Sequence, residues 1–134
     1  MRDFFPSASI IGADIDTEIL STEDRIRTFY VDQTNEKSIC ELWKNLESVQ
    51  FDLMIDDGLH TFEGGLTLLI NLLHKLKDDG VYVIEDVALA NLRKFRESLS
   101  ELDLSVQYLI MNRASSIGSD NNLIVIRKNR EKTV

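Results

Sequence analysis

FDLMIDDGLHTFEGGLTLLINLLHKLKDDGVYVIED, residues 51–86, holds two strand-like runs, the helix between them and an acidic pair after each run. Phe51 to Ile55 and Val81 to Ile84 are short, apolar and bounded by polar residues, which is the pattern of buried strands. Between them Phe62, Leu66, Leu69, Ile70, Leu73 and Leu76 recur at helical spacing. This predicts one long helix over 61–77 with those six residues inward and Asp78-Asp79-Gly80 as its stop. A strand, a helix and a second strand in this order make a parallel unit.

The pattern extends in both directions. Upstream, Ala8 to Ala13 (ASIIGA) reads as a buried strand and Arg25 to Val31 (RIRTFYV) as another. Glu36 to Ser48 carries Ile39, Leu42, Trp43 and Leu46 on one helical face, with Asn35 as its N-cap. Downstream, Ala88 to Leu102 is helical, with Leu89, Leu92, Phe95, Leu99 and Leu102 inward. Leu104 to Met111 and Asn122 to Arg127 are two last strands around a loop at 112–121, and with no helix between them they should form an antiparallel hairpin. The expectation is a single α/β domain over 1–134, with a mostly parallel sheet covered on both faces and a closing hairpin. Strands should start near 8, 26, 51, 81, 104 and 122.

Composition narrows the functional classes. Twenty-three acidic residues against fifteen Lys and Arg give a formal net charge of -8. Phosphate binding needs clustered cations, so a nucleic-acid partner is not expected. Arg127-Lys128-Asn129-Arg130 reads as a solvated tail. No apolar run reaches the ~18 residues of a membrane helix, so no membrane partner is expected. A single cysteine, Cys40, excludes a disulfide framework and fits a cytoplasmic setting. It reads as a buried or inert thiol, and His74 as packing or surface.

In doubly wound α/β folds, ligands bind at the C-terminal ends of the strands. Here those ends are acidic: Asp14-Ile15-Asp16, Asp32-Gln33-Thr34, Asp56-Asp57-Gly58-Leu59-His60 and Glu85-Asp86. Helix capping explains Asp16 and Asn35 well. It explains the doubled acids poorly, because adjacent carboxylates repel and one cap needs only one of them. A hard divalent cation such as Mg²⁺ would neutralise such a cluster. His60, three residues past Asp57, is a candidate catalytic group beside it.

These four strand-end motifs, taken in order with the lead-in Phe5-Pro6-Ser7 and the run Gly80-Val81-Tyr82-Val83-Ile84, resemble the class I S-adenosylmethionine-dependent methyltransferases. The subgroup they most resemble is the metal-dependent macrolide-sugar and rhamnosyl O-methyltransferases. The resemblance implies a Rossmann-like fold and S-adenosylmethionine as cofactor. It implies that Asp14 accepts from the ribose hydroxyls, that Asp32 and Gln33 lie against the adenine, and that Asp56 contacts the methionine portion. It assigns Asp57, Glu85 and Asp86 to the metal and His60 to the general base. The interval from Asp57 to Glu85 also looks like that of the catechol-type O-methyltransferases. The implied acceptor is a hydroxylated, sugar-like small molecule, and a homo-oligomer is compatible.

The family's first strand and glycine-rich loop have no counterpart in the sequence. The expectation is therefore a fold truncated at its N-terminus, with the methionine half of the cofactor site incomplete. Without that central strand, the strands ending at Asp14 and Ile55 must either pair directly or leave unpaired edges. Two other readings stay open: an inactive methyltransferase-like remnant serving as an interaction or structural module, and a different nucleotide-binding α/β protein such as a sugar-nucleotide enzyme.

Overall fold

The structure, a computed structural model, describes residues 1–111 and 120–129. Among these residues seven strands and three α-helices follow in the order β1 (Ile10–Asp14), β2 (Thr22–Glu23), β3 (Ile26–Tyr30), α1 (Glu36–Asn45), β4 (Phe51–Asp56), α2 (Phe62–Leu72), β5 (Leu76–Val87), α3 (Leu89–Leu99), β6 (Leu104–Leu109) and β7 (Asn122–Lys128). Residues 112–119 of the expected loop at 112–121, and Arg130 of the expected tail, lie outside the described residues. No helix among the described residues is long and apolar enough to cross a membrane.

The strands form two sheets rather than one. β1 and β3 pair in parallel, with the short β2 antiparallel on the far side of β3. β4 and β5 pair in parallel, and β7 and β6 add the antiparallel hairpin in the order β4-β5-β7-β6. The parallel β1–β3 and β4–β5 pairs and the antiparallel β6–β7 hairpin are those expected from the sequence, whereas the antiparallel β2 is not. Among the described residues β1 and β4 do not pair, so each leaves one edge open. Of the two outcomes foreseen for a fold without its central strand, this is the second.

One expectation about the sheet fails. Helices α2 and α3 cover only the face of the larger sheet that carries Met54, Tyr82, Ile84, Ile124 and Ile126. The other face presents Leu53, Ile55 and Leu109 at 38%, 41% and 45% exposure. The connection from β1 to β3 is a 3-10 turn (Thr17–Ile19) and β2, so that crossover supplies no helix to the second face.

The long helix is also shorter than its pattern. α2 ends at Leu72, a 3-10 turn spans Leu73–Lys75, and Leu76 already belongs to β5 opposite Phe51. Leu76 is fully buried, but as a strand residue. The register then jumps, with Leu53 opposite Val81, so Asp78-Asp79-Gly80 bulge out of β5 instead of stopping a helix. A Cβ on Gly80 would lie 2.9 Å from the Phe51 carbonyl oxygen, which accounts for glycine there. Ile70 and Leu89, expected inward, are 57% and 52% exposed. Helix α2 and the 3-10 turn after it split their apolar residues between two cores, so the inward stripe follows Leu66, Leu68, Leu69, Leu72 and Leu73 and leaves Ile70 outside.

The second core gathers Val31, Ile39, Leu42 and Leu46 with Phe29, Trp43 and Leu72. It joins the small sheet, through α1, to the larger one. Asn35 caps α1 as expected, its side chain accepting from Lys37 and Ser38 N–H at 3.0 and 3.4 Å. Trp43 Nε1 donates to the Asn71 carbonyl on α2 at 3.1 Å. Lys75, buried, donates to the carbonyls of Leu46 and Glu47 just beyond α1 at 3.2 and 2.8 Å. His74 meets Trp43 edge to face. Cys40, one position round from buried Ile39, is exposed rather than buried. Arg127 and Lys128 close β7 rather than fraying, because Lys128 reaches the Leu76 carbonyl and Asn129 donates to Asp103 at 2.6 Å.

Candidate functional site

The site stands at the C-terminal ends of β4 and β5. Asp56 pairs with Ile84 across these strands, so Asp57 and Glu85 follow at the same level on neighbouring strands. Adjacent strands lie about 4.8 Å apart, close enough for their end carboxylates to converge. Against β7, β5 changes register between Ile84 and Val87, with Ile84 opposite Ile124 and Val87 opposite Asn122. Three steps on β5 face two on β7, which is a bulge built from Glu85 and Asp86. Asn122 Nδ2 donates to the Val87 carbonyl at 2.7 Å and pins the end of that bulge.

Both loops carry backbone strain at the site. Among the described residues three non-glycines have positive φ, and two of them are His60 (56°) and Asp86 (48°). Such conformations cost free energy and persist where the surroundings over-determine them, as at ligand sites. They bring Asp57, His60 and Asp86 together, with ligating atoms all within 4.8 Å of one another. His60 Nε2 lies 3.3 Å from Asp57 Oδ1, and both side chains are open to solvent. Glu85 lines the adjoining shallow cavity with His60, Thr61, Gly65, Asp56 and Phe95. The two carboxylates, with an imidazole beside them on the same strained loops, suit a hard divalent cation next to a base.

Asp56 sits beneath this group. It is 5% exposed. Its Oδ1 accepts from Gly58 N–H at 3.3 Å and from Gln33 Nε2 at 3.4 Å. Among the described residues its Oδ2 is buried without a hydrogen-bond partner, as is the Tyr82 hydroxyl. Burial holds the Asp56 carboxyl above the ordinary carboxylate range, against the pull of the Gly58 and Gln33 hydrogen bonds. Burial raises Tyr82 far more, and the Asp56 charge adds to it.

The other predicted residues stand on the small sheet. Asp14 ends β1, and its Oδ1 accepts from Asp16 N–H at 2.8 Å. Asp16 caps the following 3-10 turn. Asp32, just past β3, accepts from the Thr34 amide and hydroxyl at 2.9 and 2.7 Å, and those bonds lower its pKa. Gln33 reaches across to the larger sheet, where its Oε1 accepts from Leu59 N–H at 2.7 Å. Asp14 and Asp32 therefore form one acidic edge, and Asp57, His60 and Asp86 another. Sequence reasoning overlooked Thr61, whose hydroxyl caps α2 by accepting from Gly64 N–H at 3.2 Å. A Thr directly before an apolar-periodic run is the signal that could have shown it.

No family model matches the chain. Demethylmacrocin O-methyltransferase of Streptomyces fradiae is 35% identical over 86 residues, which is 64% of this chain and 21% of that protein. Mycinamicin VI 2''-O-methyltransferase of Micromonospora griseorubida is 34% identical over 86 residues, with the same coverage of each chain. The chain thus spans about a fifth of the length of the curated relatives it matches. Among solved structures, the MycE methyltransferase of the mycinamycin pathway, in complex with Mg and SAH, superposes with a TM-score of 0.65 at 22% identity. That match covers 98% of this chain and 40% of the other. Human methyltransferase-like protein 13 in complex with SAH superposes at 0.63 and 18% identity, over 99% and 67% of the two chains.

Proposed function

We propose that this chain, which has the Rossmann-like class I methyltransferase fold and is related in sequence to sugar O-methyltransferases, carries the metal and base half of such an enzyme. The proposed reaction is O-methylation of a hydroxylated, sugar-like small molecule with S-adenosylmethionine as methyl donor. The observation that carries this reading is the convergence of Asp57, His60 and Asp86 on strained backbone at the ends of two parallel strands. The relatives include rhamnosyl tetracenomycin-C 2'- and 3'-O-methyltransferases of Streptomyces olivaceus, whose names support a sugar hydroxyl as the acceptor class.

When bound, the cofactor supplies a sulfonium methyl group and the cation lowers the pKa of the acceptor hydroxyl. Asp57 and Asp86, with Glu85 beside them, would supply the hard oxygen ligands, and the acidic edge the charge to retain the ion. His60 takes the acceptor's proton. In the tautomer whose Nε2–H is donated to Asp57, Nδ1 is the nitrogen that takes the proton. Asp57 also fixes the ring's orientation, which a near-attack geometry requires. Asp14, Asp32 and Gln33 line the adenosine side, where a carboxylate can take both hydroxyls of a ribose diol. Asp56, largely enclosed, bounds the methionine side from below.

A cation titration tests the reading. Mn²⁺ should bind wild-type protein, and Asp57→Asn or Asp86→Asn should weaken it by at least about tenfold, a loss of ~1.4 kcal/mol. Equal binding by both variants would remove the metal from the mechanism. Calorimetry with S-adenosylhomocysteine should show weak binding that depends on Asp14. Tight binding unaffected by Asp14→Ala would overturn the assignment of the adenosine side. A methyltransferase-like module without turnover is the second reading, favoured by the open edges of β1 and β4. It predicts no methyl transfer by the wild-type protein, with or without an added divalent cation.

A further inference from the structure

We propose that Gln33 is the positioning residue for the loop at 57–60, so that the small sheet sets the geometry of the metal and base group on the larger one. The metal half of this assignment rests on the reading above, whereas the loop half does not.

Gln33 starts from a rigid base. The Asp32 carboxylate accepts from the Thr34 amide and hydroxyl, and the Asp32 N–H donates to Ser38 Oγ on α1 at 2.9 Å. From that turn the Gln33 side chain crosses to the other sheet. Its Oε1 accepts from Leu59 N–H at 2.7 Å, and its Nε2 donates to Asp56 Oδ1 at 3.4 Å. The orientation of the amide is settled by chemistry: a backbone N–H needs an oxygen and a carboxylate oxygen needs a donor.

Gly58 makes the crossing feasible. A Cβ there would fall 1.9 Å from Gln33 Oε1, far inside contact distance, so glycine is needed for close approach. The amide therefore lies directly over Gly58 and grips the loop at the residue before His60. His60 holds φ 56°, a conformation that persists only when its flanks are fixed. Gln33 fixes the near flank, and Thr61, as the α2 cap, fixes the far one.

The experiment uses amide hydrogen exchange by NMR together with Mn²⁺ titration. Gln33→Ala should speed exchange at Leu59 on the order of tenfold, the loss of about one hydrogen bond. It should weaken Mn²⁺ by a similar factor while amides in β5 keep their protection. Gly58→Ala, whose methyl displaces the same amide, should reproduce both effects, and the double variant should exceed neither single one by much. If Gln33→Ala fails to fold, Gln33→Met keeps the volume and removes only the polar grip. Unchanged Leu59 exchange, or full additivity with Gly58→Ala, overturns the loop assignment. Faster Leu59 exchange with unchanged Mn²⁺ affinity overturns the positioning role. If wild-type protein binds no Mn²⁺, the metal reading fails, and Leu59 exchange still decides whether Gln33 holds the loop.

Discussion

Lys75→Met should cost this protein about 2 kcal/mol, although it removes a charge from a mostly apolar place. Lys75 is 9% exposed, and its ammonium is held by the carbonyls of Leu46 and Glu47 and lies 5.6 Å from the Trp43 ring centroid. Those carbonyls close the C-terminal end of α1, where the dipole favours a cation, although the Leu46 carbonyl also accepts from Val49 N–H at 3.0 Å. Hydrogen bonds to a charged group contribute about 1.5–3 kcal/mol each. The cation–π contact adds ~0.5–2 kcal/mol. Against these stands the desolvation of the ammonium, several kcal/mol, which methionine avoids while keeping the aliphatic stem. The net loss of ~2 kcal/mol corresponds to a fall in Tm of roughly 8 °C for a domain of this size. Differential scanning calorimetry reads it directly. Lys77→Met is the control: its ammonium pairs with exposed Asp52 at 2.7 Å in solvent, and Tm should not move. A Lys75→Met protein melting within about 2 °C of wild type would refute the argument that these carbonyls depend on Lys75. Exchange should also quicken in β1 and β3, because Lys75 helps dock α1, and with it the small sheet, onto the rest.

Asp56→Asn should raise Tm by a few degrees at neutral pH. The Asp56 pKa is raised in the fold, so its contribution is full below the unfolded carboxylate pKa and is lost as pH rises through the folded value. The advantage of the variant should therefore shrink on acidification, and a gain that grows at low pH would contradict the sign. In a protein with measurable turnover, His60→Ala should lower the rate by roughly 10²–10⁴-fold while Mn²⁺ affinity falls far less. Glu85→Gln should weaken Mn²⁺ less than Asp86→Asn does, since Glu85 lines the neighbouring cavity rather than joining the converged trio. The reverse order, read by the same titration, would move the ion toward Glu85.

Residues 51–86 by themselves determined most of the frame. The apolar runs at 51–55 and 81–84 read as strands from their length and polar bounds, and the acids after them fall at one edge because parallel strands share a direction. Likewise Asn35 announced its helix, and the spacing of Leu104 to Met111 from Asn122 announced a hairpin. These features depend on periodicity and on residue type, which are local. Tertiary structure decided where local signals were ambiguous or silent. The leucines from 66 to 76 are periodic enough for one helix, yet Leu76 is buried more effectively opposite Phe51, so α2 ends early and Asp78-Asp79-Gly80 become a bulge. Ile70 fits the helical stripe but faces water, because α2 divides its apolar residues between two cores. The left-handed backbone at His60 and Asp86, the bulge that turns Glu85 from Asp86, and the reach of Gln33 over Gly58 have no local signature. Each is set by contacts between residues far apart in the chain, and a pattern of neighbours carries no record of those distances.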